Sequence, residues 1–312
     1  MKRSISALVA AAGAALLTLP APAPATAQDR HEPRPGMVNQ ATTAAAQQKV
    51  LKYWTAQRMK AAAPMAYTLG VSGQSGPTPR LTAPLTLPHG GGPWTGGGTV
   101  VRTAGRVFFT HKGRDASCSG NAVTSGNKST VITAGHCVKM DGAWHTNWVF
   151  VPEYDTGKRP HGTWTARQTL ATAQWSASED INHDVGAAVV NQQNGKSLTD
   201  VVGGQNLAFN QPRGQNMYAF GYPAAAPYNG EKLIYCSGKV FDDILGTEAM
   251  GMQCNMTGGS SGGPWFLNFD EKTGVGTVNS VNSFGYRYLP NVMFGPYFGN
   301  STQALYRQAA SA

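Results

Sequence analysis

The sequence predicts an all-β protein, organised as a sandwich or barrel, and three observations carry that expectation. Short runs rich in Val, Ile, Tyr, Phe and Trp recur at regular intervals from Thr99 onward. Turn-forming residues separate them, and glycine is plentiful at 38 of 312 residues. Runs of that length and composition fit a pleated, half-buried surface, while glycine supplies the backbone conformations of tight turns. Hydrophobic residues make up 41% of the chain, enough for a packed core and too many for wholesale disorder.

In chain order, the first element is a targeting segment. Lys2 and Arg3 precede an apolar run from Ile5 to Leu19, and Ala25-Thr26-Ala27 is a small-x-small cleavage site. This predicts a secretory signal peptide over residues 1–27. The apolar run falls short of the roughly 20 residues that a membrane span needs, and no later run reaches that length. From about Gln40 to Ala62 the chain is rich in Ala, Gln, Lys and Arg, with Val50, Leu51, Trp54 and Met59 near helical spacing. A short amphipathic helix is expected there, stopped by Pro64. From about Leu69 to Gly98, Gly, Pro, Thr and Ser dominate, the composition of a disordered, easily cut linker. Residues 28–98 are therefore expected to form a prosegment, with the active secreted form beginning between about residue 70 and residue 105.

The strands expected after Thr99 lie at 106–111, 129–134, 148–152, 163–170, 184–190, 217–222, 232–236, 263–267 and 276–282, with a C-terminal helix over 301–310. Secretion permits disulfides. The four cysteines form two sequence-local pairs, so Cys118–Cys137 and Cys236–Cys254 are expected, although three connectivities are open from sequence. No Cys-x-x-Cys or His-x-x-x-His spacing supports zinc, and neither a metal nor another cofactor is expected. The formal charge of +9 is concentrated outside the strand-rich region. Residues 1–97 carry nine Lys/Arg against two Asp/Glu, and residues 98–312 carry sixteen against fourteen. No basic run remains to track phosphates, so a nucleic-acid partner is not expected.

Candidate chemistry begins at "MTGGSSGGPW", Met256 to Trp265, where Gly-x-Ser-x-Gly fits with either Ser260 or Ser261 central. A nucleophilic serine needs a histidine base and an acid to orient it. Chain order separates the folds that supply them. An α/β-hydrolase runs Ser, acid, His, which is excluded because the last histidine is His183. A subtilisin-type pairing of Asp155 ("DTG") with His161 ("HGT") places the two only six residues apart, in strand-like texture. The order His, Asp, Ser is met by His136 in "TVITAGHCV", Asp184 in "HDVGAAVV" and the serine of "GGSSGGPW", with Asp180 as a rival acid. Singly, each residue has a bland reading: His136 as a core histidine, Asp184 as a strand-end cap, His183 as a surface neighbour. Jointly and in order they point to acyl transfer.

These motifs resemble those of the secreted chymotrypsin-fold, trypsin-like serine peptidases. Thr133 to Cys137 matches Thr-Ala-x-His-Cys, Asp184-Val185-Gly186 matches Asp-hydrophobic-small, and Gly259 to Pro264 matches Gly-x-Ser-Gly-Gly-Pro. The resemblance covers roughly residues 99–312. "CSG" at Cys118 and "GYP" at Gly221 are similar to the bacterial glutamyl-endopeptidase-like branch, and "YWTAQRM" to leaders of actinobacterial secreted peptidases. The resemblance implies two six-stranded antiparallel β-barrels, about residues 99–200 and 201–300, with a short C-terminal helix. His136 and Asp184 would come from the first barrel and Ser261 from the second.

It further implies a secreted serine endopeptidase working through an acyl-enzyme. Ser261 would be the nucleophile, His136 the general base and then acid, and Asp184 the group that fixes the imidazole tautomer. The backbone N–H groups of Gly259 and Ser261 would form the oxyanion hole. Asn255, Ser283, Phe284 and Gly285 are expected to line the specificity pocket or pair with an extended substrate. Ser260, not aspartate, precedes the nucleophile, and no Ile-Val-Gly-Gly start exists, so activation by a new N-terminal ion pair is not expected. Asn282 and Ser283 stand where the glutamate-specific branch has a histidine, and Met256 where it has a threonine. Expected partners are protein or peptide substrates outside the cell, met by a monomer. Esterase activity on the same site and a non-catalytic binding module of this fold are the alternatives.

Overall fold

The computed structural model describes residues 33–70 and 89–312, besides Met1. The expected signal peptide and residues 71–88 of the expected linker lie outside the described residues. All the runs expected as strands are strands, and a chymotrypsin-like all-β fold results. Its first half is a closed six-stranded barrel. Ala104–His111 pairs with Arg114–Val123 through a two-residue turn at Lys112-Gly113. Arg114–Val123 then pairs with Thr130–Thr133, and that strand with Gly186–Val190. Trp164–Ala171 and Thr146–Pro152 complete the circuit back to Ala104–His111. The circuit closes, and only short stretches such as Gln168–Ala171 and Ala116–Ser117 keep an edge open to another chain segment. Val107, Phe108, Ile132, Phe150, Leu170 and Val189 fill the interior and are fully buried.

Arg114–Val123, "RDASCSGNAV", was not among the expected strands. Its serines, Ser117 and Ser119, are buried. Ser119 faces the second half of the protein, where its hydroxyl donates to Gly259 O (2.9 Å) and accepts from Tyr222 N (2.8 Å). Polar residues suit a strand whose outer face is an interface with loop backbone.

The second half is carried by two sheets. One runs Asn206–Leu207, Val275–Val281, Pro264–Asp270, Asn216–Gly221, Ile234–Lys239 and His89–Pro93. The other runs Phe241–Asp242, Met250–Gln253, Leu289–Gly295, Phe284–Tyr286 and Tyr67–Leu69. The long strand beginning at Val275 passes from the first sheet to the second at Asn282 and Ser283. There its backbone turns to serve other partners: Asn282 exchanges bonds with Gly262 and Gly263, and Ser283 N donates to Phe294 O (2.9 Å). The C-terminal helix Asn300–Ser311 buries Leu305 and Ala309. Among the described residues no helix is long and apolar enough to cross a membrane.

The N-terminal segment differs from the single helix expected. It forms a strand, Gly36–Asn39, on the edge of Trp164–Ala171, then two helices, Ala44–Tyr53 and Ala56–Ala61. The break falls at Trp54, which is 1% exposed and donates its indole N–H to Asn147 O. Thr43 and Thr55 cap the two helices through their side chains, so the threonine after Trp54 restarts what the tryptophan interrupts. The expected linker is also partly ordered. Gly90, Gly91 and Gly92 lie in the strand His89–Pro93. At Gly91, with φ +132, a Cβ would lie 1.8 Å from Asn255 Oδ1. Close packing, not flexibility, calls for glycine here. A short helix, Thr99–Thr103, precedes the first barrel strand.

Trp54 anchors the N-terminal segment, so Trp54→Ala should cost about 3–5 kcal/mol of that segment's docking. Leu51→Ala, at a 37% exposed position, should stay within about 0.5 kcal/mol. Native-state proteolysis of the full chain reads the difference: only Trp54→Ala should open the 44–61 helices to cleavage, and equal cutting of both variants would contradict the anchoring.

Candidate active site

His136 sits where the barrel strand Thr130–Thr133 gives way to a single helical turn, Gly135–Cys137. The backbone of that turn is held from behind. His145 Nε2 donates to His136 O (2.9 Å), Trp148 Nε1 to Cys137 O (3.0 Å) and Trp175 Nε1 to Lys139 O (2.8 Å). The Cys118–Cys137 disulfide staples the turn to the neighbouring strand, and Cys236–Cys254 is formed as expected.

Asp184 follows the turn Ile181–His183 and is fully buried. A buried carboxylate demands donors, and three reach it. Its Oδ1 accepts from His136 N (2.7 Å), and its Oδ2 from His136 Nδ1 (2.7 Å) and from Ser283 Oγ (2.5 Å). With Nδ1 donating to a carboxylate, the neutral imidazole carries its lone pair on Nε2. That nitrogen has no hydrogen-bond partner among the described residues. The rival acid Asp180 instead caps the turn by accepting from Asn182 N (3.0 Å). Asp155 is tied to Lys232 and His161 to Glu153, so the other pairing considered does not form.

Ser261 lies in a loop clamped from both halves of the protein. Ser119 N donates to Ser261 O (2.7 Å), and Asn282 Nδ2 donates to Ser260 O (3.0 Å). Gly262, at φ +80, packs so closely that a Cβ would lie 2.0 Å from Thr133 Oγ1. Only glycine meets both the left-handed backbone and the contact. Ser260 turns its hydroxyl into the loop, onto Thr257 O (2.7 Å). Gly259 N donates to the carbonyl of Met65, from the N-terminal segment, at 2.7 Å. Ser261 Oγ reaches the same oxygen at 3.5 Å.

A cavity of about 150 Å³ opens beside Ser261. Met256, Ser283, Phe284, Gly285, Val292 and Met293 form its enzyme-side wall. Asn255, expected as part of that wall, does not line it. Its Oδ1 accepts from Tyr228 OH (2.6 Å) and its N–H from the main chain goes to Gly90 O (2.8 Å), which hold it behind the pocket. Sequence reasoning missed the bond from Ser283 to Asp184 and the supports from His145 and Ser119. No local pattern marks these residues, because each acts across a long sequence separation.

A family profile for the trypsin-like peptidase domain matches residues 118–276. The chain belongs to the trypsin-like peptidase family. The peptidase is 46% identical to protease Anisep from Arthrobacter nicotinovorans, with a TM-score of 0.65. That similarity covers 68% of this chain and 96% of Anisep. It is also 46% identical to the thermostable serine protease AL20 from an extremophilic microorganism, covering 69% of this chain and 99% of that one, at TM-score 0.65. A Glu endopeptidase structure shares the fold at 15% identity and TM-score 0.53, over 66% of this chain and 90% of that one. Among curated proteins, an extracellular metalloprotease of Bacillus subtilis (strain 168) is 33% identical over 82 residues. That match spans 26% of the peptidase and only 25% of the relative's length. Metal ligation does not fit the grouping of Cys118, His136 and Cys137, whose ligand-type atoms lie within 4.8 Å of one another. Both sulfurs are consumed by the disulfide, which leaves no thiolate to bind.

His145 links this site to acid stability. A carbonyl only accepts, so Nε2 of His145 carries the proton and Nδ1 is the bare nitrogen facing His111 Nδ1 at 3.2 Å. Burial pushes its pKa from 6.5 down to about 3, with the His136 carbonyl bond opposing. The unfolded chain therefore binds one more proton than the folded chain between those values. Stability falls as pH drops from about 6.5 towards 3, by up to about 1.4 kcal/mol per pH unit from this group. Chemical denaturation at pH 6 and pH 4 should show a shallower loss for His145→Gln than for wild type; parallel losses would mean that His145 is already protonated when folded.

Proposed function

We propose that the peptidase is a secreted serine endopeptidase that cleaves peptide bonds through an acyl-enzyme, with Ser261, His136 and Asp184 as its triad. The observation that carries this reading is the meeting, at one peptide carbonyl, of the Gly259 N–H and the Ser261 hydroxyl, together with a buried His136–Asp184 pair whose Nε2 has no hydrogen-bond partner among the described residues. Ser261 Oγ attacks the acyl carbonyl while His136 Nε2 takes its proton. Asp184 keeps the ring oriented and stabilises the imidazolium. The developing oxyanion is received by the N–H groups of Gly259 and Ser261, where one lost donor typically costs about 3–4 kcal/mol. His136 then gives the proton to the departing amine, and water repeats the sequence to release the acyl group.

The pocket wall of Met256, Phe284, Val292 and Met293 carries no charge, which favours an apolar side chain on the acyl residue. Substrates would extend along Ser283–Gly285 by strand addition. The two disulfides and the N-terminal targeting segment support an extracellular working form. We place the maturation cut within residues 71–88, since His89–Pro93 and Thr99–Thr103 belong to the folded body. N-terminal sequencing of the active species should find its start there; an active chain beginning at Gln28 would refute the cut.

Ser261→Ala should lower kcat by about 10⁴–10⁶, as for other triad deletions. Ser260→Ala should cost only its bond to Thr257 O, about 1 kcal/mol of stability. Burst kinetics and fluorophosphonate labelling, on variants shown to be folded by circular dichroism, separate the two serines. Labelling that survives Ser261→Ala and vanishes in Ser260→Ala would move the nucleophile by one residue.

A further inference from the structure

We propose that residues 63–69 close the substrate cleft as a chain-reversed peptide, a second binding mode in which the site grips a carbonyl without cleaving it. The proposal rests on the active-site reading above and goes beyond it by naming the ligand and its direction. Three contacts in sequence lay this strap through the cleft. Ala63–Pro64 runs parallel to Ala116–Ser117, and Met65 N donates to Ser117 O (2.9 Å). The Met65 carbonyl takes the Gly259 N–H. Tyr67–Leu69 then runs parallel to Phe284–Tyr286, ending where Arg287 N donates to Leu69 O (3.0 Å).

The direction of that path decides its effect. In a cleavable complex the acyl residue's side chain enters the pocket beside Ser283–Gly285, because that pocket sets the preference at the acyl position. Residues preceding the scissile carbonyl then continue along the same strand edge, and the leaving residues pass towards Ala116–Ser117. In the strap the order is exchanged. Residues before the Met65 carbonyl lie on Ala116–Ser117, and residues after it lie on Phe284–Tyr286. The nitrogen that would have to leave, that of Ala66, therefore heads into the half of the cleft meant for the acyl chain. Ala66, Tyr67 and Thr68 of the strap line the cavity from the cleft side, and its space of about 150 Å³ stays open, so the strap caps the cavity and does not fill it.

The strap also covers the base. The Tyr67 ring lies 5.8 Å from the His136 ring and 6.0 Å from the Trp175 ring. His136 is 0% exposed and Ser261 5%. The ligand class is thus an extended peptide that offers a carbonyl to Gly259. It carries a small residue next in sequence, opposite the pocket, and an aromatic residue immediately after, against His136 and Trp175.

The test uses the full chain without its signal peptide, in intact wild-type form, as two strap variants, and as the active species matured by cleavage. Tyr67→Ala uncovers His136, and Thr68→Pro disrupts the pairing opposite Gly285. The readout is the rate at which a small fluorophosphonate labels the serine, with circular dichroism confirming each fold and mass spectrometry of the intact chain over time. Only molecules with the cleft open react, so the intact wild type should label about tenfold or more slowly than either variant and the matured form. Mass spectrometry should find no cut between Pro64 and Leu69. Intact wild type that labels as fast as the other forms, or a cut at Met65–Ala66 that appears as activity rises, would overturn the proposal. Failure of every form to label, the matured one included, would overturn the active-site reading, and the strap as inhibitor with it.

Discussion

A carboxylate taken wholly out of water has to be surrounded by donors, and the Asp184 side chain imposes that demand on the middle of the molecule. Its donors come from distant parts of the chain. The backbone and ring of His136 approach from the end of one barrel strand, and the Ser283 hydroxyl from the corner at which a strand of the second half changes sheets. Meeting the charge therefore fixes the imidazole and fixes how the two halves face each other across the cleft. Loss of one donor would leave a buried charge short of partners, a cost well above that of an ordinary surface bond.

The serine loop obeys a related constraint. Its carbonyls at Gly259, Ser260 and Ser261 are each taken up by the surrounding body: by Ser119 Oγ, Asn282 Nδ2 and Ser119 N respectively. With the carbonyls engaged from behind, the Gly259 N–H is left facing the cleft, where the Met65 carbonyl meets it. The polar strand Arg114–Val123 is thus the support of a loop in the other half of the protein. The same strand receives Ala63–Pro64, so one edge serves both the loop and the chain that crosses it.

The N-terminal segment is continuous with this arrangement. It adds a strand to Trp164–Ala171, buries Trp54 and Met59, and reaches the cleft through residues that pair by backbone. Backbone pairing makes few demands on side-chain identity. A segment of modest hydrophobicity such as "AAAPMAYTL" can therefore fill a cleft built to take many sequences.

Much of the fold was legible in the sequence wherever a local pattern had a local cause. Val, Ile and aromatic runs gave the barrel strands, "STQALYRQAA" gave the last helix, and the paired cysteines lay close in sequence. His136, Asp184 and Ser261 could be singled out as candidates because each sits in a short motif whose order distinguishes one fold from another. Other features had no such mark. "RDASCSGNAV" lacks the apolar run that marked the other strands, and the glycines of "HGGGPW" read as a linker until Asn255 packs against Gly91. The helix break at Trp54 depends on a pocket beneath it, and the bond from Ser283 to Asp184 spans 99 residues. Local sequence records what a residue prefers for itself. What it donates to, covers or faces is decided by chain brought from elsewhere, and only the tertiary structure supplies that partner.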